Sequence, residues 1–243
     1  MSEDFYIGYL PKMSKNVAKI ITFFVIATFI IAVILAVVFS LGQKPFARSF
    51  FEFGEIKDFS GTIQAEPIPF LLVEKDEKNG KLPMFERFPL VSEGKFGVDV
   101  SAFQNQSVKL KGTLIYRDDL KMIEVKTDSI EQSSAKIIST GIAESLDTQT
   151  LNGEIVDSKC YLGVMNPGES KVHKDCAIRC LSGGIPPLFV VKDKSGNTSE
   201  LWIVAEKSKF LDYVAEPVEI NGEVKRQGDK LFIYLNTIRR IEN

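Results

Sequence analysis

From Ile20 to Leu41 the chain reads IITFFVIATFIIAVILAVVFSL, 22 residues without a charge. No other stretch constrains the fold as strongly. At 1.5 Å per residue such a run makes about 33 Å of helix, enough to cross the hydrocarbon layer of a bilayer. A soluble helix of that length would carry a polar face, and this run has none. A cleaved signal peptide has a shorter apolar core, about 7–15 residues, ending in a small-x-small site. The flank Gly42-Gln43-Lys44-Pro45-Phe46 offers no such site, and no cysteine near it could take a lipid. The run therefore reads as an uncleaved single-pass anchor at 20–41. Lys12, Lys15 and Lys19 precede it, against Lys44 and Arg48 after it. That bias puts residues 1–19 in the cytoplasm and the large C-terminal part outside. Phe5, Tyr6, Tyr9 and Leu10 read as an interfacial aromatic belt.

The formal net charge is −2 and charged residues make up 26% of the chain, with no basic cluster. Nothing in that balance favours a nucleic-acid partner, since a phosphate-binding surface shows as a clustered basic excess. Beyond the anchor, short β-branched and aromatic runs alternate with Gly, Pro, Asn and Asp, the pattern of a mainly β fold.

Self-comparison shows one unit used twice. Phe59-Ser60-Gly61-Thr62-Ile63 matches Leu151-Asn152-Gly153-Glu154-Ile155, and Val91 to Phe96 matches Val204 to Phe210 with one gap. Ser107 to Gly112 matches Pro217 to Gly222, and each of these glycines leads into a hairpin, LIYRDDLKMIEV or VKRQGDKLFIYL. The expected organisation is a tether at 42–56, a first unit at 57–131, a connector at 132–147 and a second unit at 148–243. Size and strand order resemble the OB-fold, a small five-stranded barrel. That fold serves many ligands, so it does not decide function.

Between matched landmarks the second copy is longer, by the difference between Gly61–Phe96 (35 positions) and Gly153–Phe210 (57 positions). The extra length holds all three cysteines and the only histidine, in an insertion at 160–184. Ser170 is the expected cap of a short helix and Gly183-Gly184 its stop. On that helix His173, Cys176 and Cys180 fall within about a 60° arc, and Cys160 can fold over the same face.

Three readings of these residues stay open. Cys160, His173, Cys176 and Cys180 make a complete tetrahedral set for zinc, and soft sulfur also suits copper(I). An iron–sulfur cluster fits less well, because the spacings match no usual cluster signature. Lys159, Lys171, Lys174 and Arg179 could offset the thiolate charge. The second reading is a disulfide from Cys160 to Cys176 or Cys180, stiffening a docking loop and leaving one cysteine over. The third is a thiol oxidoreductase using Cys176, with its thiolate favoured by His173 and Arg179 and with Cys160 or Cys180 resolving. With one histidine, multi-histidine metal sites and covalent haem motifs are excluded, and no phosphate-binding glycine loop occurs. Asp157, three residues before Cys160, reads as a turn or capping residue that could also offer an oxygen. Trp202 reads as core, and Asp118-Asp119 and Gly228-Asp229 as hairpin turns.

The string DSKCYLGVMNPGESKVHKDCAIRCLSGGIPPLFVV resembles a segment of bacterial membrane-anchored proteins, and FSGTIQAEPIPFLLVE and LKGTLIYRDDLKMIEV are similar to the same group. The resemblance implies a bacterial source and a periplasm-facing domain; it carries no activity and no catalytic residue. The expectation is a non-enzymatic accessory protein. It would hold a metal or redox-active thiol site beside the membrane and serve a membrane complex or periplasmic partner in electron transfer or metal handling.

Overall fold

The computed structural model describes residues 13–42, 48–74, 85–135, 137–138, 143–193 and 197–241. The aromatic belt expected at Phe5 to Leu10, Lys12, Lys44, residues 75–84 and parts of the tether and connector lie outside the described residues.

The chain divides into two units, Met1–Phe46 and Ala47–Asn243. In the first, α1 (Lys15–Gly42) runs 28 residues with no buried residue. It contains the whole apolar run and is long and apolar enough to cross a membrane.

The second unit is mainly β. A short strand β1 (Ser49–Phe51) precedes β2 (Lys57–Gln64), β3 (Phe70–Glu74), β4 (Phe85–Ser92), β5 (Ser107–Arg117) and β6 (Leu120–Val125), and β7 (Glu131–Gln132) adds to β5. Strands β2 to β6 close on themselves in the order β2-β3-β4-β6-β5, with β5 returning to β2. All these pairings are antiparallel except β4 with β6, which is parallel. The later strands are β8 (Glu144–Asp157), β9 (Pro187–Lys192), β10 (Thr198–Val204), β11 (Pro217–Gln227) and β12 (Lys230–Arg240). They close in the order β8-β9-β10-β12-β11, with β10 and β12 parallel. Strand for strand, the two barrels share one topology.

The matched glycines show why the sequence repeats. Gly61 in β2 and Gly153 in β8 each sit where a Cβ would collide with a carbonyl of the following strand, Leu72 or Val190. A barrel this small must bend its first strand hard across its neighbour, and a side chain there would block the approach. The hairpins turn at Asp118 and Gly228, both at positive φ, as their sequence suggests.

The barrels are fused by a shared core. Phe70 of the first packs edge-on against Trp202 and Phe232 of the second, with ring centroids 5.9 Å apart in each case. Ile115, Met122, Tyr161, Cys160 and Cys180 join the same buried cluster. Trp202 is thus core, but core between barrels rather than inside one.

Replacing Phe70 by Ala removes a fully buried ring that faces both partners. The variant should lose about 3–5 kcal/mol of stability. Denaturant unfolding of the full chain in detergent checks this, and both barrels should melt earlier because the core is common to them.

Candidate metal and thiol centre

Residues 65–69 suffice to join β2 to β3, whereas β8 and β9 are joined by residues 158–186. This long connection begins with a π-type turn at Cys160–Val164 and continues through a 3₁₀ turn at Lys171–His173 into α2 (Lys174–Ser182). The expected single helix is therefore split, and His173 stands in the turn before it. Ser170 makes no side-chain cap bond; its N–H donates to the Glu154 carboxylate instead. Gly183 and Gly184 end the helix as expected, Gly184 at φ +100°.

The sulfurs of Cys160, Cys176 and Cys180 all lie within 4.8 Å of one another. All three cysteines are free thiols. Cys160 and Cys180 are buried, and Cys176 is half-buried at the rim. His173 belongs to a second, overlapping set with Asp157 and Cys160. The four residues expected as one cluster are thus brought together as two triads that share Cys160. His173 Nε2 lies 3.0 Å from Asp157 Oδ2, both side chains being buried. The other Asp157 oxygen accepts the Cys160 backbone N–H at 2.8 Å. Asp157 therefore caps the turn and orients the histidine at once, a pairing typical of imidazoles that serve at metal or proton-transfer sites.

The cysteine triad is electrically asymmetric. The Cys160 thiol donates to the Cys180 sulfur, which pulls Cys180 down to about 7 against its burial. The same bond, with burial and the Asp157 charge, pushes Cys160 far up. One member of the pair therefore ionises near neutrality while the other keeps its proton.

The first barrel also reaches the site. Lys95, in the loop after β4, places Nζ 3.1 Å from Cys176 Sγ, and that bond favours its ammonium form. Lys159, only 3% exposed, reaches the other way: it donates to the carbonyls of Ser92 at 2.9 Å and Gly94 at 2.6 Å, and pairs with Glu124. Gly97 N–H donates to the Gly183 carbonyl at 3.1 Å. A Cβ on Gly183 would strike the Lys95 carbonyl, so the helix end and the loop approach backbone to backbone. Of the cations expected to offset thiolate charge, Lys159 holds the loop and Lys174 pairs with Glu216. Among the described residues, the cation shown touching a thiol is Lys95. Its segment, Val91 to Phe96, stood out in the sequence only as part of the repeat.

No protein-family model matches the chain, and no curated protein is similar to it in sequence.

The asymmetry has a direct readout. Thiolate ultraviolet absorbance of the metal-free, reduced chain should rise with a midpoint near pH 7, from Cys180. In Cys160→Ala the donor to Cys180 is gone, so that midpoint should move up toward the ordinary thiol range of about 8.5.

Proposed function

We propose that this chain is a membrane-anchored accessory protein of a bacterial inner membrane. Its tandem OB-like barrels stand in the periplasm and hold a metal ion at Cys160, Cys176 and Cys180, with His173 beside them. The observation that carries this reading is the convergence of three free sulfurs within 4.8 Å, next to a buried Asp157–His173 pair. The sulfurs come from two elements, Cys160 from the π-type turn and Cys176 and Cys180 from α2, and soft sulfur donors select zinc, copper(I) or iron–sulfur clusters. The apolar α1 and the excess of lysines before it support the anchor and its orientation. The five-stranded closed order shared by both barrels, with its one parallel pair, supports the OB-like assignment. In this role the protein would hand metal or electrons to a membrane complex or periplasmic partner and catalyse no reaction itself.

A second reading, thiol–disulfide chemistry, is favoured by the lowered Cys180 thiol and its bond to Cys160. It moves the expected nucleophile from Cys176 to Cys180.

Full-length protein purified from membranes without chelator should contain close to one metal ion per chain. Cys176→Ser and Cys180→Ser should each remove most of it while the β circular dichroism stays unchanged. A metal-free chain that takes up no zinc or copper when reduced, but forms a Cys160–Cys180 disulfide with a dithiol–disulfide buffer, would favour the thiol reading instead.

A further inference from the structure

The donor set and its surroundings narrow the choice of ion. The three sulfurs form a group complete in itself, whereas the group containing His173 has Asp157 and Cys160 as its other members. A zinc site takes four ligands in a tetrahedron, and the only imidazole of the chain is the natural fourth. That imidazole reaches only one of the three sulfurs, Cys160, and its Nε2 is held by Asp157. The sulfur triad is thus left as a three-coordinate set, and soft thiolates without a hard fourth donor suit a monovalent d¹⁰ ion.

Charge points the same way. Three thiolates around a monovalent ion leave two negative charges in a mostly buried place, a costly state unless a cation stands by. Two features on the page answer that need at the same sulfur. Lys95 Nζ sits 3.1 Å from Cys176 Sγ. Cys176 also lies in the first turn of α2, where the helix dipole favours negative charge. Lys95 does not arrive there by chance of a flexible side chain: its loop is clamped by Lys159 and by the Gly97–Gly183 bond.

Resting on the metal-site reading above, we infer that Cys160, Cys176 and Cys180 form a three-coordinate sulfur site for copper(I), with Lys95 of the first barrel as its fixed counter-cation. Cys160 and Cys180 are the buried ligands and Cys176 is the one at the rim, so the ion enters and leaves through Cys176. Exchange with a sulfur donor then needs no redox partner. Each bond formed from a cysteine sulfur to copper(I), Cys176 first, replaces a bond to a donor thiolate; the protons of Cys176 and Cys160 pass to the departing donor thiolates, and copper stays monovalent throughout. Lys95, next to the exchanging sulfur, stabilises the thiolate that forms there.

The test is a competition titration of the full-length, detergent-solubilised chain under anaerobic, reducing conditions. Copper(I) and zinc(II) are each titrated against a chelator of known affinity, with wild type, Lys95→Met, Lys95→Arg and His173→Ala. One copper(I) should bind per chain. Lys95→Met should weaken it about 10-fold or more, the usual effect of removing a group that supports a metal's ligands. Lys95→Arg should restore most of the affinity, and His173→Ala should leave it unchanged. Unaltered thermal melting of the apo variants separates these effects from misfolding. If His173→Ala abolishes binding, or if Lys95→Met leaves copper(I) affinity intact, this inference is overturned and the broader metal reading stands. If wild type binds neither ion, both fail.

Discussion

A lysine ammonium with almost no solvent contact costs several kcal/mol unless every proton on it is met. Lys159 meets that demand with the Ser92 and Gly94 carbonyls and the Glu124 carboxylate, all from the other barrel. The rest of the site follows from this clamp. Lys159 directly precedes Cys160, so fixing its side chain fixes the start of the π-type turn. The same contact holds the loop that delivers Lys95 to Cys176. Two barrels that could each close alone are thereby tied at the point where the sulfurs meet, and the Phe70–Trp202–Phe232 cluster seals the interface below.

The duplication and the site are connected in physical terms. Two copies of one barrel offer equivalent loops, but only the second carries a long connection between its first two strands. The helix of that connection packs Ala177 and Leu181 on the core of its own barrel. Against the first barrel it gains a wall: Arg117 donates to the Tyr161 carbonyl at 3.1 Å and lies over the Tyr161 ring at 3.9 Å. Phe50 in β1 backs directly onto Gly163. The first barrel thus acts as the template on which the cysteine segment of the second is moulded.

Much of this was legible in the sequence. The apolar run at Ile20–Leu41, the mainly β character and the equivalence of Gly61 with Gly153 are written in local pattern, because period and punctuation follow from backbone geometry. The meeting of Cys160 with Cys176 and Cys180 was legible too, since helical spacing and one loop suffice to suggest it. Three things were not. His173 left the cysteine face because residues 171–173 wind as a 3₁₀ turn and α2 begins only at Lys174, three residues after the expected start. Asp157 caps the turn, as its position suggests, and could offer an oxygen, but the bond of its second oxygen to His173 arises only through the fold. Lys95 lies 81 positions from Cys176; no periodicity links them, and only the docking of one barrel on the other makes them neighbours.

The central claim is that sulfur from three cysteines, and not nitrogen, surrounds a bound ion. X-ray absorption at the metal edge of the loaded full-length chain tests it most directly. The account predicts a first shell of sulfur alone, with three neighbours in wild type and two around whatever ion Cys176→Ser still retains. A shell containing nitrogen or oxygen in wild type, or one that Cys176→Ser leaves unchanged, would contradict it.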